Sequence, residues 1–437
     1  MGNYQGYQKY QDSGVEWLGD IPEHWEVKHL KNVASITRGA ILRPVNDPSY
    51  FDENGEWLYL NISDVTKCEK FLYTAELKLS DIGSKKSARV LENNLILTAS
   101  ATIGIPIINK VKVCIHDGFI AFKEIKTNLF FLYYVLLNKS IYSAMGKTNT
   151  QKNIYLDEVK IVKIGFPPLD EQEKIAQFLD YKTKQIDELI KKKETLIEKL
   201  DEKRTAIISH AVTKGLDSSV PIKDSGVEWL GDIPEHWEVI KVKHLTKILR
   251  GKFTHRPRND PRFYDGQHPF IQTGDVANAN KFIMEYTQTL NENGYAVSKE
   301  FPSGTLVMTI AANIGDMAIL NFNACFPDSI VGFLPSKMTD IFFLYHLFSS
   351  MKKQFLSTAV LNTQLNLNVE RISNIFTVIP PLKEQLQITD FLNKEMQKLD
   401  LQKAKIKEAI ELLKEYRTSL ITNAVTGKID VSQIAVP

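Results

Sequence analysis

One run of letters occurs twice in this chain. DSGVEWLGDIPEHWEV stands at residues 12–27 and returns unchanged at 224–239. An unchanged copy so far along the chain means one fold unit used twice. The 437 residues must therefore be read as two alike halves rather than as one large domain.

The halves go on matching, more loosely. Arg38-Gly39 answers Arg250-Gly251, and RPVNDP at 43–48 answers RPRNDP at 256–261. LILTASATIG at 95–104 answers LVMTIAANIG at 306–315, and Cys114 and Asp117 answer Cys325 and Asp328. FFLYY at 130–134 answers FFLYH at 342–346, TNTQKNI at 148–154 answers LNTQLNL at 361–367, and FPPLDEQ at 166–172 answers IPPLKEQ at 379–385. The ends of the units agree in letters, the middles mainly in pattern. One scaffold presenting two different surfaces gives that distribution, as does drift after duplication.

Each half closes on a long stretch without Gly or Pro. In 170–214 apolar residues recur at Ile175, Leu179, Ile186, Leu189/Ile190, Leu196/Ile197, Leu200 and Ile207. In 382–426 they recur at Ile388, Leu392, Leu399, Ile406, Ile410, Leu413, Leu420 and Ala424. Steps of three, four and seven put each set on one stripe of a helix. Pro167-Pro168 and Pro380-Pro381 mark the entries, and acidic residues at 170, 171 and 173 suit the positive start of a helix. Gly215 is a plausible stop. At 1.5 Å per residue each helix runs roughly 65 Å, longer than one small core needs. A narrow stripe of that length calls for another long helix, so the spacing predicts an antiparallel intramolecular coiled coil. Leu179, Ile186, Leu200, Leu392, Leu399 and Leu413 are the partner-helix contacts it implies.

Between the helices the pattern is mixed. Residues 27–39 suggest a strand or short helix ending at Gly39, 43–54 a turn-rich loop, and 56–65 a strand-like alternation. Residues 80–87 are polar, 91–122 read as several short strands, and 129–146 as one buried helix. The fold class is therefore α+β: two repeated mixed domains at 1–168 and 215–381, two long helices at 169–214 and 382–426, and a tail at 427–437.

Totals exclude several classes. No apolar run approaches the ~20 residues of a membrane span, and the polar N-terminus lacks the apolar core of a signal peptide. Three scattered cysteines fit neither a disulfide framework nor a metal cluster and suggest a reducing cytoplasm. There is no phosphate-binding G-x-x-x-x-G-K-[ST], no H-E-x-x-H and no G-x-S-x-G. GFPPL and VIPPL superficially resemble the catalytic motif of amino-methyltransferases. Phe166 and Ile379 stand where that motif needs an amide or carboxylate, so both are read as helix entries.

The formal net charge is only +2, so any nucleic-acid reading rests on local charge. Between Val27 and Asp47 there is no acidic residue, while Lys28, Lys31, Arg38 and Arg43 are present. The equivalent stretch carries Lys241, Lys243, Lys247, Arg250, Lys252, Arg256 and Arg258, with Arg262 following. Such clusters can neutralise phosphates, though a solvated basic face has the same composition. Gly39 and Gly251 would let the backbone approach a ligand. The amide-rich runs give Asn149, Gln151 and Lys152, and Asn362 and Gln364, as candidates for adenine or phosphate contact. Capped turns explain those runs at least as well, because a base reader should differ between units of different specificity. Lys85, Lys86 and Arg89 in the first unit, and Gln272, Thr273, Asn278 and Asn280 in the second, vary as readers should. The tryptophans of the repeated run, Trp17, Trp25, Trp229 and Trp237, read as a staple against the neighbouring helix rather than as a base-stacking platform.

The WLGDIPEHWE opening, the NTQ-x-N run, the PPLxEQ helix entry and the helix endings in RTxxIxxAVT together resemble the specificity subunits of type I restriction–modification systems. The resemblance covers nearly the whole chain. It implies two target-recognition domains, each reading one half of a split, asymmetric site on double-stranded DNA. It implies that the helices dock two methyltransferase subunits, that two restriction subunits can join them, and that this chain is non-catalytic and cytoplasmic. S-adenosylmethionine, ATP and Mg would sit on those partners, with no cofactor here. Two readers on one duplex face would place half-site centres about one helical turn, ~10 bp, apart. A recognition subunit of a type II system, or a DNA methyltransferase in its own right, is the alternative.

Overall fold

The computed structural model describes residues 4–45, 47–142, 153–311, 314–357, 360–361 and 365–434. It resolves into two compact units, Met1–Glu194 with Lys407–Pro437, and Thr195–Ile406. Each is an α+β body built to one plan.

In the first unit a five-stranded sheet runs in the order Ser35–Arg38, Phe119–Lys123, Leu95–Thr98, Pro106–Asn109, Phe71–Leu72, with only the last pairing parallel. A second sheet runs Leu77–Leu79, Trp57–Leu60, Val113–Ile115, Ala88–Val90. The second unit repeats both orders, beginning with Thr246–Arg250, Ile330–Pro335, Leu306–Thr309. The central strands are buried at every position, which is why they read as continuous apolar runs instead of alternating ones.

Local differences from expectation have local causes. Residues 27–39 form a strand, a one-turn helix Leu30–Val33 and a second strand. The alternation after Trp57 stops at Leu60, because Asn61 caps a short helix Ile62–Thr66 with Asp64 as its reciprocal partner. The polar stretch at 80–87 holds a helix, Asp81–Lys86, capped by Ser80 on Gly83 N. The buried helix spans Leu129–Leu137 and gives way at Asn138, where a 3-10 turn begins.

The long helices span Leu169–Lys214 and Leu382–Val425, each starting directly after its proline pair. The first half of one and the second half of the other fall in the same unit. In the first unit Asp187 pairs with Arg417 at 2.9 Å. In the second, Asp201 pairs with Lys403 at 2.6 Å and Arg204 with Asp400 at 2.7 Å. One number rises as the other falls, so the pairing is antiparallel. Leu179 and Ile186 share a core with Leu420 and Ile421, and Leu392 and Leu399 are likewise buried. Leu413 and Leu200 pack at the edges of those cores. Where the stripe offered a choice, Ile190 and Ile197 turn inward and Leu189 and Leu196 stay exposed.

One buried group carries a pH dependence. His346, 4% exposed, has no partner for either ring nitrogen. Burial, then the charges of Lys281 and Arg204, push its pKa down to about 3. The unfolded imidazole takes its proton near pH 6.5, so stability is full above that pH and is lost as pH falls toward 3. In the first unit the matching Tyr134 gives its hydroxyl to Asp180 at 2.5 Å. His346→Phe should flatten the loss of unfolding free energy between pH 6.5 and 4.5 by about 2–3 kcal/mol. Denaturant titrations of both proteins at the two pH values measure this, and parallel losses would refute it.

Candidate nucleic-acid interface

The repeated run and the helix entry prove to be two parts of one joint. Strand Glu26–His29 pairs antiparallel with Lys163–Phe166, which leads into Pro167-Pro168 and the long helix. That brings Glu171, in the first helical turn, onto the run. Its carboxylate accepts from Trp25 Nε1 at 3.0 Å and from the Tyr7 hydroxyl, and lies 2.8 Å from His24 Nε2. Glu384 does the same with Trp237 at 2.6 Å and His236 at 3.0 Å. Next to each glutamate a buried glutamine closes the helix start: Gln172 donates to Pro167 O and Gln385 to Pro380 O, both at 2.8 Å. Trp25 and Trp237 are therefore a staple, while Trp229 donates to Phe376 O at 3.2 Å, and the identity of the two runs follows from this shared joint.

From this base a loop leaves the five-stranded sheet in each unit. Arg38 Nε donates to Asp117 O and Arg250 Nε to Asp328 O, each at 2.7 Å. The glycines that follow are each required by a close contact within the unit. A Cβ on Gly39 would lie 1.9 Å from His116 O, and one on Gly251 2.2 Å from Pro327 O. The close approach that the structure shows is to the protein's own facing loop.

That facing loop also carries the acid that the basic stretches lack. Asp328 receives Arg258 Nη2, and Arg256 Nη2 stands 3.5 Å from its other oxygen. Arg256 also donates to Phe253 O at 2.7 Å. Arg262 holds the Asp260 carboxyl well below the usual range. In the first unit Arg43 is exposed, and its guanidinium has no partner among the described residues, while Asp117 faces only His116 at 3.6 Å. Lys252 is likewise an exposed cation. The role of Asp328 was signalled by its match to Asp117, but a carboxylate at a basic surface carries no DNA signature of its own.

The remaining candidates divide by what already holds them. Lys85 pairs with Asp81 at 3.2 Å, and Lys86 donates to the Tyr50 hydroxyl at 2.8 Å. Arg89 is half-buried, bonded to Ser84 O at 3.0 Å and lying over Trp57. Gln272 caps the helix Thr273–Asn278 and bonds Gln288 at 2.8 Å, with Thr273 half-buried behind it. Asn278 and Asn280 are exposed. Asn149, Gln151, Lys152, Asn362 and Gln364 lie outside the described residues. Among the described residues no group of His, Cys, Asp and Glu could hold a metal ion, and no helix is long and apolar enough to cross a membrane.

Two copies of one α+β reader, each stapled to a long helix, match the family model described as the type I restriction modification DNA specificity domain, at residues 22–199 and 234–412. The chain belongs to that family, whose members are specificity subunits of type I restriction enzymes. It is 27% identical over 440 residues to a Methanocaldococcus jannaschii protein named for the MjaX specificity subunit, covering 95% of this chain and 96% of that one. The MjaVIII specificity subunit of the same organism is 25% identical over 442 residues, covering 95% of both. The EcoKI specificity subunit of Escherichia coli K12 matches over 210 residues at 25%, covering 46% of this chain and 44% of that one. Two solved structures share the fold. A chain from work on complex assembly and conformational transition of the type I R-M system has a TM-score of 0.71 at 15% identity, covering 93% of this chain and 98% of that one. The HsdS subunit from Thermoanaerobacter tengcongensis has 0.56 at 16% identity, covering 94% and 98%.

Proposed function

We propose that this chain reads a bipartite, asymmetric site on double-stranded DNA, one half with each unit. In this reading it docks two methyltransferase subunits, and two restriction subunits in the full complex. It has no reactive centre of its own, and S-adenosylmethionine, ATP and Mg2+ act on the partner subunits. The observation that carries the reading is the pair of units: the same strand order twice, with different side chains on the same loops. A single catalytic centre needs no such duplication, whereas an asymmetric site needs two readers. The paired helices also leave apolar surface for a partner. In the first unit a groove of about 620 Å³ is lined by Leu189, Ala409, Leu412, Leu413 and Tyr416, with Leu189 and Leu412 exposed.

Mapping adenine methylation in cells with and without the chain tests this. The expected result is one motif of two fixed blocks around an unread spacer, methylated only when the chain is present. Methylation that does not depend on the chain would refute the reading. S-adenosylmethionine binding by the isolated chain would favour a methyltransferase instead.

A further inference from the structure

The two loops after Gly39 and Gly251 share a frame and differ in contents. Both are pinned by the glycine contacts described above. Both end on an aspartate that caps a 3-10 turn: Asp47 accepts from Ser49 N at 3.0 Å and Asp260 from Arg262 N at 3.1 Å. Within that frame Val45 occupies the position that Arg258 occupies in the second unit.

Arg258 is held at both ends. Its carbonyl accepts from the hydroxyl of Tyr264, a ring buried against Phe253 and Phe270. Its Nη2 is fixed by Asp328, yet the side chain stays 46% exposed. Nε and Nη1 make no hydrogen bond among the described residues. A phosphate can be held by a point charge such as lysine as well as by a fork, and carries no sequence information. A guanine accepts two parallel N–H groups at O6 and N7 in one orientation only. A guanidinium turned by a carboxylate on one Nη2 hydrogen keeps one parallel pair, the other Nη2 hydrogen with Nη1 or Nε, and suits the second task.

The geometry points to Arg258, buttressed by Asp328, as a guanine-reading residue of the second unit, a contact that Val45 denies to the first. This rests on the recognition-subunit reading. In the first unit the acceptor Asp117 is already in place at the position equivalent to Asp328. Val45 is 58% exposed there, so the frame lacks the guanidinium, and its tyrosine tie falls two residues earlier, from the Tyr50 hydroxyl to Arg43 O at 2.8 Å.

The test uses the assembled complex with its partner subunits, on DNA libraries randomised at each position of both half-sites, at two salt concentrations. The wild-type complex is measured first; if its preference does not depend on this chain, the parent reading fails and not this one. Arg258→Lys keeps the charge and removes the fork. It should cut the preference for one G·C pair about 10–100-fold, in one half-site only, with an unchanged salt slope. Asp328→Asn should weaken the same preference. Val45→Arg should add a guanine preference to the other half-site. A full preference in Arg258→Lys would overturn the assignment. So would a loss in Arg258→Ala spread evenly over all sequences, with the salt slope lowered by about one, because that is the signature of a phosphate contact.

Discussion

Replacing Glu171 with alanine lowers the stability of the first unit by about 3–5 kcal/mol, while Glu384→Ala costs the second about 1–2 kcal/mol. The Glu–Trp–His contacts of the two joints are the same; the burial of the glutamate and the third donor, Tyr7, are not. Glu171 is 8% exposed and binds Trp25, His24 and the Tyr7 hydroxyl; its removal strands the buried indole N–H and takes the acceptor from the part-buried Tyr7 hydroxyl, while half-exposed His24 turns to water. Glu384 is 33% exposed and binds Trp237 and His236, and water can take over part of its work. Trp25 and Trp237 are both buried, and among the described residues each indole N–H bonds only its glutamate, so the difference lies in the exposure of the glutamates and in Tyr7. Denaturant unfolding of each full-length variant, followed by tryptophan fluorescence, measures both losses. Equal losses would show that burial does not set the strength of the joint.

Exchanging residues 28–165 for the same segment of a relative replaces one half-site entirely and leaves the other as it was. Both cut points fall inside the strand pairing that sets Val27 beside Gly165. The Glu171 joint and the helix pairing lie outside the exchanged segment, so the graft meets its own kind of frame. The varied side chains all lie inside it. Methylation mapping of the hybrid reads the result directly, and a change in both halves would show that the units do not read independently.

Much of the scaffold could be read from the letters because its signals are periodic or repeated. The stripes of Ile175, Ile186 and Leu392 recur over dozens of residues, and the proline pairs mark both helix starts to the residue. The sheets were legible only as runs of short strands. Segments such as Leu95–Thr98 are buried on both faces, so their pattern fixes neither partner nor order. The candidate site was harder still. Lys85 and Lys86 look alike in sequence, yet one pairs with an aspartate and the other with a tyrosine hydroxyl. The arginines of 250–258 look like free charge until Asp328, far along the chain, is folded against them. Contacts of that separation leave no trace in local composition. The exposed choice of Leu189 over Ile190 was open for the same reason: both fit the stripe, and only the packed partner decides.

The closing turn of the second long helix has a consequence for how the chain is assembled. Gly427 sits against Pro22 and Trp25, Lys428 donates to Asp20 O, and Asp430 N donates to Gln5 O at 2.8 Å. Leu420, Ile421, Ala424 and Val425 belong to the same core as Trp25 and Phe131. The second unit is one uninterrupted segment, and the first is not. On the ribosome, the body begun earliest must wait with an open core until the final stretch emerges, and its neighbour in sequence can be complete before it. A chain stopped between Ile406 and Leu420 would spare the later-begun half and leave the earlier one unfinished.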